Sequence, residues 1–174
     1  EKLENIYGTA QNTDTTPVTR EYDVVVLGGG PAGAAAAIYC ARKGFRTAVV
    51  AKTIGGQVRE TMDIENLISV PETTGPRLAS DLKEHLSRYP IDLFENRTAD
   101  SAVVSGSAKV IVCANETFRC KALIIATGAG WRKLSVPGEA EHLGHGVAFC
   151  THCDGPFYAG KRVAVVGGGN VAMD

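Results

Sequence analysis

Tyr22-Asp23-Val24-Val25-Val26-Leu27-Gly28-Gly29-Gly30-Pro31-Ala32-Gly33 is the stretch from which the rest of the chain can be read. Residues 22–27 form a run suited to a strand buried on both faces. Gly28, Gly30 and Gly33 then satisfy G-x-G-x-x-G. Small residues at this spacing let the backbone turn sharply and approach a pyrophosphate, whose charge is met by amides at a helix N-terminus. The pattern alone is weak, and a ligand-free strand-to-helix turn would also use glycine. Its context strengthens it, because residues 34–43 are alanine-rich helix material and Gly44 is placed to end the helix. Residues 46–51 supply the next strand and complete a βαβ unit. One part of the fingerprint is missing: the acidic residue expected about 20 positions on is absent, and Lys52 stands roughly there. A lysine there could favour an added phosphate, which leaves NADP open as a ligand of this turn.

Downstream, Gly55-Gly56-Gln57 and the loop through Glu65-Asn66 carry little regular pattern. Gly75-Pro76 opens a helix, with Leu78, Leu82, Leu86 and Tyr89 on one stripe. Residues 91–94 suit a third parallel strand. Short alternating runs from 97 to 120, punctuated by Ser105-Gly106 and Asn115-Glu116, predict a small antiparallel meander. Residues 122–127 return to a buried strand that Gly128 stops. Turn residues then accumulate between Gly128 and Gly138, where a domain boundary is expected. Residues 161–166 read as a further strand, and Gly167-Gly168-Gly169-Asn170-Val171-Ala172 as a second strand-to-helix turn. Residues 1–20 read as a linker, 21–131 as the first domain and 132–174 as the start of another. Glu1 and the stop at Asp174 suggest an internal piece of a longer polypeptide.

Composition narrows the function classes. With 174 residues, 44% hydrophobic content and a formal charge of -1, the chain is an ordinary globular one. It has no basic excess for nucleic acid and no apolar run approaching the roughly 20 residues of a membrane helix. Of five cysteines, only Cys150 and Cys153 are closely spaced, which fits a reducing cytoplasm and one redox-active pair better than a secreted scaffold.

In Cys150-Thr151-His152-Cys153-Asp154-Gly155-Pro156, two cysteines can close a small disulfide ring, and thiol exchange needs one attacking and one resolving sulfur. Asp154 is a candidate general acid, and protonated His152 could favour a thiolate. Zinc is the competing reading, with His142, His145 and His152 nearby. It lacks a second close cysteine pair, so no metal site is assigned. Cys40, Cys113 and Cys120 read as small core residues, His85 as a surface-edge histidine, and Trp131 as packing at the domain junction.

Taken in order, Gly28 to Gly33, Gly55-Gly56-Gln57, Glu65-Asn66, Ala126-Thr127-Gly128 and Cys150 to Asp154 resemble the low-molecular-weight thioredoxin reductase family. Asp63-Ile64-Glu65-Asn66-Leu67-Ile68-Ser69-Val70-Pro71, Ala126-Thr127-Gly128-Ala129-Gly130-Trp131-Arg132 and Pro156 are similar to its alkyl hydroperoxide reductase flavoprotein branch. The resemblance covers nearly all of residues 22–172. It implies an α/β protein: a Rossmann-like FAD-binding domain with a parallel sheet and small β-meander, followed by the start of a second Rossmann-like, nicotinamide-binding domain.

By the same resemblance, Gly28, Gly30, Pro31, Ala32 and Gly33 would hold FAD, with Gly55, Gly56, Gln57 and Asn66 near the flavin and Thr127-Gly128 at the domain crossing. Gly167, Gly169 and Ala172 would begin the NADH or NADPH site. Cys153 would face the flavin, Cys150 would attack the partner's disulfide, and Asp154 would handle protons. The implied recipient is a thioredoxin-like domain serving a peroxiredoxin, in a cytoplasmic homodimer. Free thioredoxin is the alternative acceptor, and a non-catalytic flavin-binding module is the alternative of another class.

Overall fold

Alternating valines and alanines in two neighbouring segments build the centre of the protein. In a computed structural model describing residues 18–61 and 63–173, the side chains of residues 152, 153, 170 and 171 excepted, β1 (Val18–Gly29) is followed by α1 (Pro31–Arg42) and β2 (Thr47–Ile54). A 3-10 turn (Gly56–Glu60) and α2 (Gly75–Ser87) lead to β3 (Ile91–Phe94). Then come β4 (Ser101–Ser105), β5 (Ala108–Cys113) and β6 (Glu116–Ile125). They form one six-stranded sheet in the order β3-β2-β1-β6-β5-β4. β1 pairs in parallel with both β2 and β6, β3 is parallel to β2, and β4-β5-β6 is the antiparallel meander.

Because successive strand residues point to opposite faces, β1 and β2 feed two cores. Val24, Val26, Val49 and Ala51 meet Ala34, Ala37 and Ile38 of α1 and Leu86 of α2. Val25, Leu27, Ala48 and Val50 meet Ile111, Cys113, Phe118 and Cys120 of the meander. Alanines on α1 let that helix lie close to the sheet. Each fully buried Val, Leu, Ile or Phe contributes about 1.5–3 kcal/mol. The stripe predicted on α2 is present, with Leu86 completely buried and Leu82 and Tyr89 packed on the same core. Thr74 caps that helix, its hydroxyl accepting from the Arg77 amide at 3.3 Å.

Several boundaries differ from the sequence reading. β1 begins at Val18, so residues 18–20, read as linker, belong to the sheet; residues 1–17 of that linker lie outside the described residues. Val18 and Arg20 pair with Glu116 and Phe118, and Glu116 accepts from both Arg20 and Arg97, which joins the arm to the meander. The strand read at 122–127 is not separate. It is the second half of β6, whose first half closes the meander. Nor is it wholly buried, since Ile125 is 70% exposed.

The strand expected at 161–166 is absent: the backbone there pairs with no described strand, and Val163, Val165 and Val166 stand exposed. β propensity supplies the residues of a strand but not its hydrogen-bonding neighbour. Among the described residues, no helix is long and apolar enough to cross a membrane.

Candidate functional site

The site lies where β1 ends and α1 begins. Gly28 takes φ +109°, which L side chains rarely adopt, and a Cβ there would lie 2.0 Å from the carbonyl oxygen of Ala126. A Cβ on Gly33 would lie 2.0 Å from the Gly28 oxygen. These two glycines are therefore demanded by packing between strand, helix and the end of β6. Gly30 differs: a Cβ there would meet nothing nearer than the Gly55 oxygen at 3.9 Å. The middle glycine borders open space, which suits the approach of a phosphate to the backbone.

Gly30 also caps α1 without any side-chain hydrogen bond, and no acidic residue occupies the helix's first turn. Pro31 and Ala32 are exposed in that turn. Helix geometry leaves the first amides without intrahelical partners, and the helix dipole makes this end favourable to an anion. The residues present fit a dinucleotide pyrophosphate.

A second loop closes beside the first. The Gly55 amide donates to the Gly29 carbonyl at 2.7 Å. Gly56, at φ +58°, brings its backbone against Gly30, with its would-be Cβ 3.3 Å from the Gly30 Cα. Gln57 follows in the 3-10 turn. With its carboxamide oriented to satisfy both neighbours, it donates to the Ala129 carbonyl at 2.8 Å and accepts from the Trp131 indole N–H. Thr127 adjoins the same turn, its amide nitrogen 3.0 Å from the Cβ position of Gly28. Gly28 to Gly33, Gly55 to Gln57 and Thr127 thus converge.

Gly128 follows, exposed and at φ +71°. Asn66 sits exposed on a separate loop that is closed by paired hydrogen bonds between Ile64 and Thr73. Lys52 is exposed at the end of β2, and its carbonyl accepts from the Asn96 amide at 3.1 Å.

The second glycine turn is less built. Gly167 takes φ +124°, and Asn170–Met173 makes a single helical turn in which the Ala172 amide donates to the Gly169 carbonyl at 2.9 Å. Nothing packs within 4 Å of the Cβ positions of Gly167, Gly168 or Gly169. The two turns share sequence form but not surroundings.

Thr151–Asp154 forms one helical turn, which runs into a 3-10 turn at Gly155–Tyr158. The Asp154 amide donates to the Cys150 carbonyl at 2.9 Å, and Asp154 is partly buried. This puts both cysteine positions on one turn of helix; the side chains of Cys153 and His152 lie outside the described residues. Cys40, Cys113 and Cys120 are free thiols. Burial pushes all three up from the ordinary thiol range, and at Cys113 the nearby Asp100 and Glu116 add to it. They are poor nucleophiles near neutral pH. Among the described residues, no three His, Cys, Asp or Glu side chains converge to hold a metal.

Two features escaped the sequence reading. Trp131 stacks on Phe149, with ring centroids 6.0 Å apart and planes 7° from parallel, besides meeting Gln57. Glu139 is buried and accepts from the amides of Leu134 and Ser135 at 2.8 and 2.7 Å, which organises residues 134–139 within the loop between β6 and Cys150. The only signal for the first was that Gln57 and Trp131 each stood out separately; the second had none.

Comparison with known proteins bears on the chain as a whole. The model of the pyridine nucleotide-disulphide oxidoreductase family matches residues 22–174. The alkyl hydroperoxide reductase F subunit of Pseudomonas putida is 49% identical over 168 residues, or 95% of this chain and 32% of that protein. Its counterpart of the same name in Escherichia coli K12 is 47% identical over 157 residues, 88% of this chain and 30% of that protein. Among solved structures, thioredoxin reductase from Streptococcus pyogenes superposes with a TM-score of 0.74 at 35% identity, covering 79% of this chain and 45% of that one. The chain spans about a third of the length of these curated relatives. With the family model matched over residues 22–174, most of its length, the chain belongs to the pyridine nucleotide-disulphide oxidoreductase family.

Proposed function

We propose that the complete protein is the flavoprotein component of an alkyl hydroperoxide reductase, a flavin-dependent disulfide reductase fed by NADH or NADPH. The observation that carries this is the relation to the Pseudomonas putida alkyl hydroperoxide reductase protein, 49% identity along 95% of the chain, a span that takes in both the glycine turn and the Cys150–Asp154 segment. FAD, when bound, supplies two-electron transfer between a nicotinamide and a disulfide. Gly28, Gly30, Pro31, Ala32 and Gly33 would hold its pyrophosphate, with Gly55, Gly56, Gln57, Asn66, Thr127 and Gly128 around the remainder. Gly167, Gly169 and Ala172 would contribute to the nicotinamide nucleotide site.

Cys150 and Cys153 form the redox pair in this proposal, supported by Cys150 being disulfide-bonded while Cys40, Cys113 and Cys120 are free. Two electrons and two protons convert the pair to thiols. The Cys150 thiolate then attacks the acceptor's disulfide, forming a mixed disulfide and releasing one acceptor thiolate, which Asp154 can protonate. Cys153 attacks the Cys150 sulfur, releases the second acceptor thiolate and restores the ring. The acceptor is a thioredoxin-like domain that serves a peroxiredoxin, within a cytoplasmic homodimer. Reduction of free thioredoxin is the second reading, favoured by the solved thioredoxin reductases that share the fold.

Anaerobic titration of the full-length protein with NADH and with NADPH should bleach the flavin absorbance. Cys150→Ser should keep that bleaching and lose transfer to the acceptor disulfide. A flavin that neither nucleotide bleaches would make the protein a non-catalytic binding module instead. Normal transfer in Cys150→Ser would remove the role given to that cysteine.

A further inference from the structure

From Ala126 to Cys150 the chain has no helix or paired strand to hold it, apart from the isolated bridge between Leu143 and Val147. It nevertheless delivers the cysteine turn. The carboxylate of Glu139 organises residues 134–139 locally. Gln57 instead reaches across from the glycine-rich site, donating to the Ala129 carbonyl and accepting from the indole N–H of Trp131. The other end of the connection is Phe149, the residue before Cys150, whose ring lies parallel to the Trp131 indole at 6.0 Å. Trp131 is 44% exposed, more than core packing would leave it. An indole edge bonded to one element and an indole face stacked on another is a two-sided tie.

We propose that Trp131 is a positioning residue for disulfide transfer: through Gln57 and Phe149 it fixes the Cys150 turn relative to the glycine-rich cofactor site. The inference rests on the flavin–disulfide reading. It assigns Trp131 no contact with reacting atoms. Its effect is geometric, and small displacements of reacting groups can cost large factors in rate.

The test uses the full-length enzyme with two readouts. In the holoenzyme, rapid kinetics separate flavin reduction by nicotinamide from electron transfer out of the flavin into the disulfide. In the reduced, flavin-free enzyme, iodoacetamide measures the alkylation rate of Cys150. Trp131→Ala should leave the first kinetic phase unchanged, slow the second on the order of tenfold, and raise Cys150 alkylation. Trp131→Phe keeps an aromatic face for Phe149 but has no N–H. It should therefore restore wild-type alkylation while transfer stays slow.

Unchanged alkylation and transfer in Trp131→Ala would overturn the proposal, as would equal loss of both kinetic phases. If the wild-type holoenzyme itself passes no electrons to the disulfide, the flavin–disulfide reading fails. The alkylation rates alone then decide whether Trp131 positions Cys150.

Discussion

At the scale of single residues, the glycines of the first turn separate into two kinds. Gly33 is required by the fold, because an added Cβ would meet the Gly28 oxygen at 2.0 Å. Gly33→Ala should lower the stability of the flavin-free protein by on the order of 3 kcal/mol, as overpacking of backbone does. Gly30→Ala should leave the melting temperature of flavin-free protein nearly unchanged, since the nearest atom is 3.9 Å away, yet weaken FAD binding. Thermal melts without flavin and FAD titrations distinguish the two; equal destabilisation by both would contradict the division. Lys52 offers a complementary case. It stands exposed where the fold ordinarily places a carboxylate for a ribose hydroxyl. Lys52→Glu should tighten FAD binding roughly tenfold, the worth of one hydrogen bond to a charged group, and titration by fluorescence quenching would show it. The sequence announced these glycines through their spacing. It could not show which of them touches protein and which faces open space, because that depends on how the turn folds back on itself at Gly28 and Gly33 and on distant neighbours, Ala126 for Gly28 and Gly55 for Gly30.

Among elements, β6 explains where the sequence reading succeeded and where it failed. The apolar runs and turn residues located β2 to β5 to within about three residues. They split β6 into two because its two halves have different environments: one closes an antiparallel meander and the other runs parallel to β1. The residues at 162–166 have strand composition, but no described partner lies beside them. The start of β1 was misread for the opposite reason: Val18 to Arg20 have little apolar pattern, and their place in the sheet comes from pairing with Glu116 to Phe118. Glu116 there accepts from Arg97 and, at 3.3 Å, from Arg20. The Arg97 hydrogen bond, the largest effect, holds the Glu116 carboxyl below the ordinary carboxylate range; burial opposes it, and the Arg20 hydrogen bond adds a smaller lowering. A depressed folded-state pKa contributes stability above the unfolded carboxylate value, and that stability is lost as pH falls toward the folded value. Glu116→Gln should therefore cost about 1 kcal/mol or less at pH 7. The deficit relative to wild type should shrink once the pH falls below the usual carboxylate pKa, as paired melts at neutral and acid pH would record. A deficit independent of pH would mean that the pair contributes through packing alone.

For the molecule as a whole, the shared strand decides how many cooperative units the sheet contains. A meander joined to a Rossmann-like half by a loop could unfold alone. Here the same strand, β6, hydrogen-bonds β5 on one side and β1 on the other, and Phe118 on it is fully buried in the core that contains Val25 and Val50. Its ring also meets Phe94 of β3 edge-on at 4.9 Å, so it links the meander to the sheet's far parallel edge. Removing it opens a cavity bordered by both parts at once. Phe118→Ala should cost about 3–5 kcal/mol. It should also shift the whole denaturant transition to lower concentration without dividing it. In the flavin-bound protein, far-ultraviolet circular dichroism follows all strands, whereas flavin fluorescence follows the turn between β1 and α1. Coincidence of the two curves, in wild type and variant alike, is the two-state signature. If the variant instead loses part of its strand signal before releasing flavin, the meander is an independent unit. The glycine site would then owe its stability to the β1–α1–β2 half and not to the sheet as one body.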